Sequence, residues 1–272
     1  MKFLIFLLLP ALATAQHLSS ALSAYLQKLP ASVQVSVALE SLADTVRFYH
    51  RADALVPSAS VIKIPIMVEA MERVKTGGFD LDQTHVLLAA EKTGGSGILQ
   101  TYPNESKLSN REVLTLMMTH SDNTATNILI RELGMEQINR RMQTLGLTQS
   151  RLNRMMMDTL AARQGRENRV TVREMNALLT KIHRHEVATP ALCDQMLDIL
   201  KRNEDNLTFR RFLPPSTVIA HKTGGLAYVQ GDAGIFYVPK PFVLSVFVQG
   251  TDTENAQRII GEIARICYQQ LQ

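Results

Sequence analysis

Ser60 and Lys63 stand three residues apart at the head of a run that is apolar on nearly every side: Val61, Ile62, Ile64, Ile66, Met67, Ala70, Met71 and Val74. Residues three apart share one face of a helix, so the hydroxyl and the amine can meet. A helix that is hydrophobic all round belongs in the middle of a domain. There the charged form of a lysine loses hydration and its pKa falls. A neutral amine beside a hydroxyl is a nucleophile with its base. On its own the tetrapeptide fits a plainer arrangement better, with Ser58 and Ser60 capping the helix and Lys63 snorkelling to the surface. Short patterns of this kind match often by chance.

Two further segments carry compatible chemistry. Ser121-Asp122-Asn123 interrupts two apolar helical runs, one with Val113, Leu114, Leu116 and Met117, the other with Ala125, Ile128 and Leu129. It offers a hydroxyl able to relay a proton and an amide able to hold a carbonyl, although cap preference alone would account for it. Lys222-Thr223-Gly224 closes a strand-like segment with an ammonium and a hydroxyl suited to a carboxylate. Gly225 follows, where a backbone N–H can approach a reacting oxygen without a side chain in the way.

These segments need elements to bring them together. Residues 16–29 read as a helix, and 33–39 and 45–50 as two strands joined through Ala43-Asp44 as a hairpin. From about 60 to 206 the signals are helical, broken by Gly94-Gly95-Ser96-Gly97 and by a long irregular loop over 152–170. Loops of that length inside compact domains are often functional. Strands return at 217–224, 229–238 and 242–248, the first ending in a Gly-Gly break, before a final helix over 252–271. The pattern predicts an α/β fold of the α+β type: a five-stranded antiparallel sheet with flanking helices, assembled from both ends of the chain. A sheet lobe would cover about 16–58 and 214–272, with an all-helical lobe of about 59–213 inserted into it. A cleft between two lobes is a common ligand site.

Lys2, the apolar stretch 3–9 and Ala13-Thr14-Ala15 read as a secretory signal peptide over residues 1–15, cleaved after Ala15. The mature chain, 16–272, is expected to be soluble and periplasmic or secreted, without a stable membrane anchor. The formal charge of +4 comes from scattered arginines rather than a basic run, which argues against a nucleic-acid partner. Cys193 and Cys267 could pair in an oxidising compartment, but sequence cannot place them within bonding distance. No cluster has metal-ligand spacing and no glycine-rich loop resembles a phosphate cradle, so neither metal nor cofactor is expected. The chain is expected to act as a monomer.

Taken together, Ser60-Val61-Ile62-Lys63, Ser121-Asp122-Asn123 and Lys222-Thr223-Gly224 resemble the signature of class A serine β-lactamases and penicillin-binding proteins. The resemblance covers essentially the whole mature length, continues from Asn123 through Thr124-Ala125-Thr126-Asn127 and extends to Gly231-Asp232-Ala233-Gly234-Ile235. It implies a β-lactamase/transpeptidase-like fold and a site in which Ser60 attacks the lactam carbonyl with help from Lys63. Ser121 would relay a proton to the leaving nitrogen, and Asn123 would hold a substrate amide. Lys222 and Thr223, with Gly224, would bind the carboxylate, and the N–H groups of Ser60 and Gly225 would form the oxyanion hole.

One departure stands out. Family members carry a loop glutamate, followed four residues later by an asparagine, that activates water for deacylation. This chain has no glutamate between Gln137 and Gly165. Asp158 is the nearest carboxylate and the candidate base, with a structural role in the loop as its plainer reading. Glu91 and Glu167 are outside candidates, Met155-Met156-Met157 reads as packing under the loop, and His120 and His221 receive no role. The expected function is an exported serine hydrolase that opens β-lactam rings through an acyl-enzyme on Ser60, as in β-lactam catabolism and antibiotic resistance. The alternatives are a penicillin-binding-type peptidase or esterase on peptidoglycan-like peptides, and a non-catalytic binder that acylates and deacylates slowly.

Overall fold

The structure, a computed structural model, describes residues 8–272, with side-chain surroundings from residue 15 onward. The charged start of the expected signal peptide lies outside the described residues. In chain order the helices are α1 (Leu8–Leu26), α2 (Lys63–Thr76), α3 (Asn110–Thr119), α4 (Asn123–Leu133), α5 (Met135–Thr144), α6 (Thr159–Arg163), α7 (Val172–His183), α8 (Pro190–Lys201) and α9 (Thr253–Leu271). The strands are β1 (Gln34–Ser41), β2 (Arg47–His50), β3 (Val56–Pro57), β4 (Thr84–Val86), β5 (Lys107–Ser109), β6 (Arg169–Val170), β7 (Val218–Leu226), β8 (Val229–Tyr237) and β9 (Phe242–Gln249). α1 runs through the expected cleavage point between Ala15 and Gln16.

Five strands form one sheet in the order β2-β1-β9-β8-β7, antiparallel throughout. β1 from the start of the chain therefore pairs with β9 from its end, which makes the sheet the join between the two termini. β8 and β9 are buried on both faces, whereas the edge strand β2 buries only Phe48, and along each strand successive side chains point to opposite faces. Val35, Val37, Leu39, Leu244, Val246 and Val248 point to a core shared with Leu18 and Leu22 of α1 and Ile259, Ile260 and Ile263 of α9. Ala38, Ala220, Ala233, Val243 and Phe247 point to the opposite core, shared with the central helices. The antiparallel five-stranded sheet with flanking helices is the architecture read from the sequence.

α2 lies at the centre of that second core. Every residue from Lys63 to Glu72 is buried, as the all-round apolar pattern requires. Its two buried glutamates are satisfied: Glu69 accepts from Arg73 and Arg141, and Glu72 accepts the Ala188 N–H. Pro65 falls in the first turn, where the missing N–H costs no hydrogen bond. The two cysteines do not pair. Cys193 packs in the core with α2, Cys267 in the core on the other side of the sheet, and both are free thiols.

Two local expectations are corrected. The segment 152–170 is not wholly irregular, since it contains α6 and ends in β6, which pairs with β3 just before the Ser60 turn. The Gly-Gly pair does not break its strand either: β7 continues through Gly224 and Gly225 to Leu226, paired with β8 all the way.

Candidate active site

Ser60 sits in a single 3-10 turn, Ala59–Ile62, whose last residue abuts Lys63 at the start of α2. The residue before it, Ala59, has φ +44°, a left-handed backbone that a Cβ makes costly by about 1–3 kcal/mol. Packing holds the turn there. β7 passes so close that a Cβ on Gly224 would lie 2.8 Å from the Ser60 nitrogen and 3.0 Å from the Val61 nitrogen. Gly224 is therefore a glycine because the Ser60 turn lies on its strand, which the Gly-Gly pattern alone did not reveal.

Lys63 is fully buried, and its amine reaches three acceptors: the Ser121 carbonyl at 2.6 Å, Ser121 Oγ at 3.1 Å and Asn123 Oδ1 at 3.1 Å. Burial pushes its pKa well below the ordinary lysine value; the Lys222 ammonium adds to the fall and Asp122 opposes it. A neutral amine donates two of these contacts and accepts the third from the Ser121 hydroxyl, which leaves a proton path between the two side chains. None of the hydrogen bonds of Lys63 goes to Ser60, so the shared helix face read from the spacing is replaced by a turn followed by a helix, with Lys63 bonded to the second segment.

That second segment is fixed by its aspartate. Asp122 caps α4 by accepting the Ala125 N–H at 2.9 Å, and its other oxygen accepts the N–H groups of Ile98 and Leu99 at 2.7 and 2.8 Å. It is 1% exposed. Gly97 is wedged against it, where any Cβ would collide with the carboxylate. Held this way, Ser121 adopts φ +51°. Asn123 donates to Gly94 O at 3.1 Å, and Asn127 clamps the backbone of Met156 from both sides, at 3.2 and 2.8 Å. Sequence reasoning gave Asp122 and Asn127 no task beyond their motif; buried Asx side chains at a helix start and one turn later were the available signal.

Lys222 is 1% exposed and donates to its neighbour's carbonyl, Thr223 O, at 2.9 Å. Burial lowers its pKa to about 8, against the opposing pull of Asp232 and Asp205. Beside it His221, fully buried, places Nδ1 3.0 Å from both carboxylate oxygens of Asp232, which also accepts from Thr208 at 2.7 Å. His221 thus belongs to a buried polar network on the strand rather than to the cleft. His120 bonds Thr119 at its helix end.

The cleft beside these residues has a volume of about 430 Å³. Ser60, Asn123 and Gly225 line it, together with Arg154, Met156, Met157 and Arg163 from the loop and Tyr228 from the β7–β8 turn. A larger cavity of about 760 Å³, between α3 and α8, has Leu108, Leu116 and Ile199 in its wall and none of the residues of the three motif segments.

Asp158, the candidate base of the sequence reading, is exposed and does not line the cleft. Its carboxylate caps α6 by accepting the Ala161 N–H at 2.9 Å. Glu91 is engaged with His85, the Leu88 N–H and Arg131. Glu167 is buried and fully occupied: one oxygen accepts from Arg154 and from the Asn168 N–H, both at 2.8 Å, and the other accepts the Tyr228 hydroxyl at 2.8 Å. Burial alone would raise its pKa, but these donors prevail and hold it below the usual carboxylate range. The three methionines divide: Met156 is buried, Met155 packs partly against the core, and Met157 stands half-exposed in the cleft with φ +62°. No group of metal-ligating side chains occurs among the described residues, and no described helix is long and apolar enough to cross a membrane.

Comparison with known proteins places this geometry in context. The family model described as "Beta-lactamase enzyme family" matches residues 17–271. Among curated relatives, β-lactamase AST-1 of Nocardia asteroides is 31% identical over 231 residues, 80% of this chain and 72% of that protein. Among solved structures, that of PBP-A superposes with a TM-score of 0.84 at 28% identity, covering 94% of this chain and 95% of the other. A leucine-to-glutamate mutant of PBP-A, solved as an acyl-enzyme complex with penicillin G, gives 0.83 at 27% identity, with 94% and 95% covered.

Proposed function

The chain belongs to the β-lactamase enzyme family, and from that premise we propose that it is an exported serine hydrolase that opens β-lactam rings through an acyl-enzyme on Ser60. The observation that carries the mechanism is the buried Lys63 amine, desolvated and hydrogen-bonded to Ser121 and Asn123 at the head of the cleft that Ser60 lines. In this reading neutral Lys63 takes the Ser60 proton as the hydroxyl attacks the lactam carbonyl. The oxyanion sits between the N–H groups of Ser60 and Gly225. Ser121 passes the proton from Lys63 to the ring nitrogen as the amide C–N bond breaks. Asn123 holds the acyl-side amide, and Lys222 and Thr223 hold the carboxylate beside the ring nitrogen, at a strand edge kept clear by Gly224 and Gly225.

Deacylation is the weaker half of the cycle. A general base for water contributes about 10²–10⁴-fold, and no carboxylate lines the cleft. That observation favours a second reading: an enzyme of the penicillin-binding type that acylates readily on β-lactams or peptidoglycan-like peptides and releases the acyl group slowly. Similarity to PBP-A as well as to β-lactamases is compatible with both. Export rests on the signal-peptide pattern of residues 1–15 and would place the mature chain in the periplasm or outside the cell.

Rapid-mix mass spectrometry with benzylpenicillin and a chromogenic cephalosporin tests both. The expected result is an adduct on Ser60, absent from Ser60→Ala, that forms in a burst and decays in a slower steady state. Labelling that persists in Ser60→Ala would overturn the nucleophile. Rapid turnover with no detectable adduct would overturn the imbalance between the two steps.

A further inference from the structure

The loop wall of the cleft carries a charge that the chemistry above does not use. Between residues 151 and 173 stand six arginines, Arg151, Arg154, Arg163, Arg166, Arg169 and Arg173, against only Asp158 and Glu167. Two of the six line the cleft, and their circumstances differ. Arg154 is neutralised, its guanidinium 2.8 Å from Glu167, which is itself buried and bound to Tyr228. Arg163 ends α6 exposed, with no ion pair and no side-chain hydrogen bond among the described residues. Its position at a helix C-terminus suits a cation, but does not explain why an unpaired one faces a substrate cleft whose lining holds no acid. The nearest carboxylate on its own helix, Asp158, is committed to the cap at the other end.

The wall is also held in place. Glu167 joins the loop to the β7–β8 turn through Tyr228, and the neighbouring Asn168 accepts the Ser58 N–H at 2.8 Å, two residues before the nucleophile. Arg163 therefore projects from a wall tied on one side to the sheet and on the other to the Ser60 turn. A second cationic position, Lys222, stands on β7, whose Gly224 lies against the Ser60 turn, and is assigned the carboxylate next to the scissile bond.

We propose that Arg163 forms an anion subsite on the loop wall, so that the favoured acyl donors are dianions with one carboxylate at Lys222 and Thr223 and a second on the acyl side chain at Arg163. This rests on the acyl-enzyme reading above and adds the substrate class to it. Filling the cleft removes water from around the guanidinium, which strengthens a charge-assisted contact relative to an exposed pair. The contribution is ionic and weakens with added salt.

Benzylpenicillin and carbenicillin isolate the effect, since they differ by one carboxylate on the α-carbon of the side chain. Acylation efficiency of Ser60 is measured for both by rapid-mix mass spectrometry, in the wild type and in Arg163→Gln, at low and high ionic strength. The expected result is a carbenicillin-to-benzylpenicillin ratio that falls about fivefold in Arg163→Gln and falls in the wild type as salt rises. A ratio unchanged by the substitution, or a loss that is equal for both compounds, would overturn the subsite. Arg163→Lys, which keeps the charge, should restore most of the ratio; failure to do so while Arg163→Gln lowers it would likewise count against an ionic contact. If neither compound acylates the wild type, the acyl-enzyme reading itself fails and the subsite with it, an outcome separable from the others by the absence of any adduct.

Discussion

Asp122 and Asp158 begin their helices in the same way. Each is an N-cap, and each accepts the amide three residues on at 2.9 Å. Around Asp122 the protein closes: the carboxylate is buried, takes two more N–H groups from the 94–99 loop, and so fixes Ser121 and Asn123 against Lys63. Around Asp158 the protein stays open, and the cap is the only hydrogen bond the carboxylate makes among the described residues. The same contrast separates the two halves of the proposed cycle. Lys63, Ser121 and Asn123, assigned to acylation, are hydrogen-bonded to one another around a buried amine, whereas the loop wall offers cations, methionines and no free base. A local signature says where a helix starts; only its surroundings say whether chemistry can be built on it.

The contrast breaks most visibly at Lys63. Lys63→Met keeps the buried volume and removes the amine, and should slow acylation by about 10²–10⁴-fold, measured as adduct formation on Ser60. In the proposed mechanism the base is the neutral amine, present above its lowered pKa, so acylation should be lost as pH falls through that value. A variant that still acylates within a few fold of wild type would place the base elsewhere.

Lys222 tests the same side through charge. Its ammonium is the form that binds a carboxylate and predominates below about 8, so affinity for carboxylate-bearing lactams should fall as pH rises through that value. Lys222→Ala should cost about tenfold or more on such lactams, less on neutral esters, and should remove the alkaline limb. Because the Lys222 charge helps to depress Lys63, the same substitution should move the acid limb to higher pH. Equal losses on charged and neutral substrates would show that Lys222 does not read the carboxylate.

The smallest effect is expected at Asp158, and it sharpens the comparison best. Asp158→Ala removes one exposed cap and should lower stability by about 1 kcal/mol, read from a denaturant titration, while leaving the lifetime of the acyl-enzyme within about twofold. Asp122→Ala strands three buried N–H groups at about 1–3 kcal/mol each and should destabilise the fold severalfold more. An acyl-enzyme that persists far longer in Asp158→Ala would mean that the carboxylate reaches the water after all.

Much of this molecule was legible in order of residues alone. The period-two strands at both ends, the all-round apolar α2 and the Ser121-Asp122-Asn123 cap segment are local patterns, set by backbone geometry and burial, and they give the antiparallel sheet and its helices. The three motif segments were legible for the same reason, since side-chain type survives folding. What the sequence could not hold is proximity. That Lys63 bonds Ser121 and Asn123 rather than Ser60, that Gly224 is kept small by the Ser60 turn, that Glu167 is tied up by Arg154 and Tyr228, and that Cys193 and Cys267 lie on opposite sides of the sheet all depend on contacts between segments far apart in the chain. The fate of the two capping aspartates was undecidable for that reason: a carboxylate's hydration, and with it its chemistry, is fixed by what other segments pack over it.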